Sequence, residues 1–181
     1  PWLETWLRHQ YRDAYWKHGS ICEDYSAIEC PVLAVSGWTD GYSNAVFRLM
    51  AGLECPRKGL IGPWGHTYPH TAVPGPTIGF LQEALRWWDH WLKGIDSGIM
   101  EEPMLRAWQQ DSVPPETAYE ERPGRWIGES SWPSRNITER RYALAPYTIC
   151  LGEGNGGSQQ HGGQERAQGL QSPLSVGLAA G

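Results

Sequence analysis

Two short apolar runs and two amphipathic stretches organise the first half of the chain. Val32-Leu33-Ala34-Val35-Ser36, opened by Pro31 and closed by Gly37, lacks polar alternation and predicts a strand buried on both faces. Trp38-Thr39-Asp40-Gly41 then reads as a loop. From Ser43 to Leu53 the residues Val46, Leu49, Met50 and Leu53 recur at i, i+3, i+4 and i+7, which predicts an amphipathic helix with Ser43 as its N-cap. Lys58-Gly59-Leu60-Ile61-Gly62 is a second apolar run, so the strand–helix–strand order predicts a parallel pair with a crossover helix. After a Pro- and Gly-rich loop, Phe80 to Lys93 predicts a second helix. Phe80, Ala84, Leu85, Trp88, Trp91 and Leu92 share one broad face, Gln82, Glu83, Arg86 and Asp89 face outward, and Gly94 supplies the stop. Residues 1–20 are polar-aromatic with partly helical spacing.

From Glu101 the helical period disappears. Short β-prone pieces, Met104 to Gln109, Arg125 to Ile127 and Arg140 to Leu144, alternate with Pro103, Pro114-Pro115, Pro123-Gly124 and Pro133. Such punctuation predicts an all-β sandwich or jelly roll, with the boundary between Gly94 and Glu102. The expected organisation is α/β over residues 1–98 and a partial β-sandwich over 99–181. A Gly/Gln-rich loop at about 151–171 precedes a further strand over Ser172 to Leu178 that stops at the chain end.

Charge narrows the partners. The 181 residues carry a formal net charge of −5, and the 15 Lys and Arg are scattered, which argues against a nucleic-acid partner. No apolar run reaches the roughly 18 residues of a membrane span, so no membrane partner is expected. The first residues lack a signal-peptide pattern, which favours a cytoplasmic location. The four cysteines form no Cys-x-x-Cys motif and read as buried hydrophobes or free thiols, with one disulfide open to a secreted protein. Eleven tryptophans fall into an N-terminal group, a helical group and a β-rich group, as core, interface or pocket lining. Such aromatic content on a β-sandwich allows an alternative to catalysis, a non-catalytic binding module, for carbohydrate among other ligands.

Candidate chemistry lies past the two strands. Asp40 follows the first and His66 the second, and ligands of open parallel sheets bind outside the carboxyl ends of the strands. Both residues are therefore expected at one sheet edge. An imidazole can take a proton from a hydroxyl near neutral pH, and a carboxylate fixes its tautomer and stabilises the imidazolium. The order of acid then histidine is that of the last two members of a Ser–Asp–His triad on an α/β-hydrolase sheet. His66 and His70 have helical metal-ligand spacing, but Pro69, Pro74 and Pro76 forbid the helix, and no metal or cofactor is expected.

These residues reach a recognisable pattern. Asp13-Ala14-Tyr15-Trp16, Ile28-Glu29-Cys30-Pro31 through Gly37-Trp38-Thr39-Asp40, Leu60-Ile61-Gly62-Pro63-Trp64-Gly65-His66 and Trp88-Asp89-His90-Trp91-Leu92-Lys93-Gly94 together resemble the cocaine-esterase and Xaa-Pro dipeptidyl-peptidase-like (CocE/NonD) serine hydrolases. Arg125-Trp126 and Ser131-Trp132-Pro133 are similar to the opening of that family's C-terminal jelly roll. The resemblance implies the C-terminal part of an α/β-hydrolase core with Asp40 as triad acid, His66 as general base and Tyr42 as a substrate-pocket residue or a packing aromatic. It implies acyl ester, amide or Xaa-Pro peptide substrates and no cofactor; the sequence leaves the oligomeric state open, a homo-oligomer among the options. No Gly-x-Ser-x-Gly elbow occurs in the sequence, so the nucleophile is expected upstream and the chain alone is expected to be inactive.

Overall fold

The computed structural model describes residues 1–145 and 148–151. The expected Gly/Gln-rich loop, apart from Leu151, and the expected strand over Ser172 to Leu178 lie outside the described residues. The chain divides into two compact units, Pro1–Pro133 and Ser134–Gly181.

In the first unit, β1 (Val32–Gly37), α3 (Ser43–Gly52), β2 (Arg57–Gly62) and α4 (Phe80–Lys93) follow two short helices, α1 (Trp2–Arg8) and α2 (Ala14–His18). The strands β1 and β2 are parallel, with Val32 opposite Arg57 and Gly37 opposite Gly62. Their runs are apolar because both faces are covered. Ala34 and Ile61 point to one side, into a core with Val46 and Met50 of α3. Leu60 points to the other, against Trp64 and Ala72, with Val35 packed beside them. The alternation follows from the two-residue strand period. Met50, fully buried, contributes on the order of 1.5–3 kcal/mol by leaving water.

The expected β-sandwich boundary is where the structure differs most. β3 (Leu105–Gln110) hydrogen-bonds to β2 in parallel, and β4 (Gly124–Glu129) pairs antiparallel with β3, giving one sheet in the order β1-β2-β3-β4. Residues 105–129 thus extend the core sheet instead of opening a separate sandwich, and the compact unit runs to Pro133. Strand periodicity predicts that a segment pairs, not with which strand. The second unit contributes a two-stranded antiparallel sheet, β5 (Tyr142–Ala145) with β6 (Thr148–Leu151).

Two local expectations change as well. Ser43 is the first helical residue of α3, not its cap; the N-cap is Tyr42, whose N–H is already taken by the Asp40 side chain. On α4 it is Trp87 that is buried, while Leu81, Leu85, Trp88 and Leu92 are exposed. Glu83 and Arg86 do not face outward into water alone. With Glu102 and Arg106 they form a linked set of ion pairs, including Arg86–Glu102 at 2.6 Å and Arg106–Glu83 at 2.7 Å. Gly94 ends the helix in the left-handed region at φ 69°, and its N–H bonds back to His90. At the start of β2 the buried Lys58 ammonium donates to the carbonyls of Met100, Glu102 and Pro103, pinning that segment; burial pushes its pKa down.

Candidate active site

Asp40 lies three residues past β1 and His66 four past β2, so the parallel pairing delivers both loops to the same sheet edge. Three hydrogen bonds hold these loops side by side. The Trp38 N–H donates to Gly62 O at 2.9 Å and the Thr39 N–H to Trp64 O at 3.1 Å. The Thr39 hydroxyl donates to Pro63 O at 2.9 Å. Gly37 makes the approach possible: a Cβ there would stand 2.0 Å from the carbonyl oxygen of Trp64.

His66 Nδ1 and Asp40 Oδ2 lie 2.9 Å apart. An ionised carboxylate only accepts, so Nδ1 carries the hydrogen and Nε2 keeps its lone pair. The two side chains differ sharply in exposure, 80% for His66 against 12% for Asp40. The carboxylate is thus sheltered and the outer edge of the imidazole faces water. The other carboxylate oxygen of Asp40 accepts the Tyr42 N–H at 2.9 Å, in an Asx turn. That bond is the main reason the Asp40 pKa is held below the ordinary value; burial opposes it, and the hydrogen bond and charge of His66 add to it. The arrangement keeps a charged carboxylate behind an imidazole that can take up a proton on its far side.

Tyr42 is 72% exposed, and its ring stands 6.2 Å from that of His66, edge-on. It flanks the imidazole at the loop mouth. His70 does not join His66 at an ion; its ring stacks on Phe80 at 6.3 Å and lies 5.9 Å from Tyr68. Among the described residues no group of three or more His, Cys, Asp or Glu side chains is placed to hold a metal ion, and no helix is long and apolar enough to cross a membrane. Cys22, Cys30 and Cys55 are free thiols.

Sequence reasoning missed the parts that hold the pair: Gly37, Thr39 and Trp64. Trp64 is buried, donates its indole N–H to Pro76 O at 2.8 Å and packs near Trp126. One signal was available: both strands end on glycine, and those glycines fall opposite each other in the register.

The model of the X-Pro dipeptidyl-peptidase (S15) family matches residues 1–68, which include both Asp40 and His66. Two provisionally named serine esterases, from Mycobacterium bovis and Mycobacterium tuberculosis, are 30% identical over 138 residues, 72% of this chain. That stretch is 19% of each relative, so the chain spans about a fifth of the length of the curated relatives it matches. Among solved structures, a CocE/NonD family hydrolase from Staphylococcus aureus aligns over 78% of this chain and 23% of its own, with a TM-score of 0.55 at 14% identity. An aminopeptidase from a marine sediment Thaumarchaeota archaeon aligns over 83% of this chain and 26% of its own, with a TM-score of 0.57 at 15% identity. At those identities the likeness is one of fold.

Proposed function

We propose that the chain is part of a CocE/NonD-type hydrolase of the S15 family and carries the acid–base part of a serine hydrolase that cleaves acyl ester or amide bonds, a reading supported by the S15 match over residues 1–68 and by the likeness to the two serine esterases. The observation that carries this reading is the 2.9 Å contact between Asp40 and His66 at the carboxyl ends of two parallel strands. In the reaction, His66 Nε2 takes the proton of a serine hydroxyl as its oxygen attacks the acyl carbon, and returns that proton to the leaving group. Water then repeats the sequence on the acyl-enzyme. Asp40 holds the imidazole in the Nδ1–H tautomer and stabilises the imidazolium. Tyr42, exposed beside the ring, serves as part of the wall that receives substrate.

The serine comes from outside these residues, because no Gly-x-Ser-x-Gly occurs in the sequence. Within the described sheet β1 is an edge strand, and a further parallel strand carrying the nucleophile can add beside it. The S15 match brings X-Pro dipeptides within the proposed substrate class, alongside simple esters. The test is hydrolysis of p-nitrophenyl acetate by the purified chain. The expected rate equals that of the His66→Ala variant; turnover at an ordinary enzymatic rate, abolished by His66→Ala, would show that the chain holds its own nucleophile.

A further inference from the structure

We propose that Thr39 is a positioning residue, which fixes the geometry of the Asp40–His66 hydrogen bond by tying the acid loop to the histidine loop. The proposal rests on the reading of Asp40 and His66 as acid and base. Thr39 immediately precedes Asp40 and bonds the opposite loop twice. Its N–H donates to Trp64 O at 3.1 Å, and its hydroxyl to Pro63 O at 2.9 Å. Both acceptors lie within three residues of His66. The receiving side is anchored: Trp64 is 1% exposed, its indole N–H is held by Pro76 O at 2.8 Å, and its ring belongs to a core cluster with Leu60 and Ala72.

The need for such a tie follows from exposure. The His66 side chain is 80% exposed, so packing restrains it weakly and its placement depends on its backbone and on the carboxylate. Asp40 is in turn placed by the turn it sits in, through Asp40 N–H to Gly37 O at 3.1 Å and Tyr42 N–H to its own side chain. Those bonds set the carboxylate relative to β1 only. Thr39 is the neighbouring residue that relates this turn to the other loop. Its β-branched side chain has few χ1 states, so the hydroxyl bond specifies a distance as well as a contact. Displacements of about 1 Å in a catalytic constellation cost up to ~10²-fold in rate.

The tautomer of His66 reads this geometry directly. In an unrestrained neutral imidazole the Nε2–H form is the more populated, whereas a carboxylate on Nδ1 selects Nδ1–H. In the full chain, with ¹⁵N-labelled histidine, NMR at about pH 8.5, where an ordinary imidazole is neutral, is expected to show His66 mainly as Nδ1–H. Thr39→Val, which keeps shape and loses the hydroxyl, should lower the Nδ1–H to Nε2–H ratio by roughly threefold or more, with the unfolding midpoint little changed at this exposed position. Thr39→Ser should restore the ratio. A Val variant with the wild-type ratio, or a Ser variant that behaves like Val, would overturn the assignment. Asp40→Ala tests the underlying reading separately: if it leaves the ratio untouched, Asp40 does not hold His66 at all.

Discussion

Replacing Gly37 with alanine isolates the contact that lets the two candidate loops meet. An alanine Cβ would lie 2.0 Å from Trp64 O, 2.6 Å from its carbonyl carbon and 2.9 Å from its Cα. All three are backbone atoms, so no side chain can rotate away. Relief to even 3.0 Å requires the strand ends to part by about 1 Å. The Trp38 N–H to Gly62 O and Thr39 N–H to Trp64 O bonds, now 2.9 and 3.1 Å, would stretch to about 4 Å and be lost. Two such bonds at about 0.5–1.5 kcal/mol each, with about 1–3 kcal/mol of overpacking strain, give a loss of roughly 2–6 kcal/mol. That is a large share of the ~5–15 kcal/mol that keeps a domain folded. Urea denaturation followed by tryptophan fluorescence measures it. Gly41→Ala, where an added Cβ meets nothing within 4 Å, is the matched control and should be neutral. A Gly37→Ala chain with the stability and the Thr39 amide protection of the parent would refute the reasoning.

The Asp40 carboxyl is held below its ordinary value of 3.8, first by the Tyr42 N–H and then by His66. A lowered folded pKa gives stability that is complete above the unfolded value and fades as pH falls through the folded one. The stability difference between the parent and Asp40→Ala should therefore be constant near neutrality and shrink below about pH 4, as thermal melts across pH 2.5–7 would show. A difference that persists unchanged at the lowest pH would contradict the charged role of this side chain. Gly94 sits at φ 69°, so Gly94→Ala should cost about 1–2 kcal/mol of unfolding free energy in the same denaturation assay, although its Cβ would meet nothing within 4 Å. Equal stability there would mean that the end of α4 relaxes to another conformation.

The chain's own pattern determined β1, α3, β2 and α4, because each depends on a local period or on a glycine or proline at its end. It also placed Asp40 and His66 at one edge, since parallel strands joined by a crossover helix leave no other arrangement for residues just past their carboxyl ends. Four ordered motifs carried the family resemblance, and the first three of them lie within residues 1–68, which the S15 family model matches. Tertiary structure decided the rest. Only pairing across the chain shows that β3 joins β2 and that β4 follows it, because an isolated β-prone segment records which residues face inward and not which neighbour takes its hydrogen bonds. The buried side of α4 was misread for a related reason: its apolar residues extend beyond a single stripe, and the packing that buries Trp87 left Leu85 and Trp88 in water. The bonds from Thr39 to the Pro63 and Trp64 carbonyls, and the close approach at Gly37, join residues about 25 positions apart, a distance at which sequence period is silent and only the folded backbone brings donor and acceptor together.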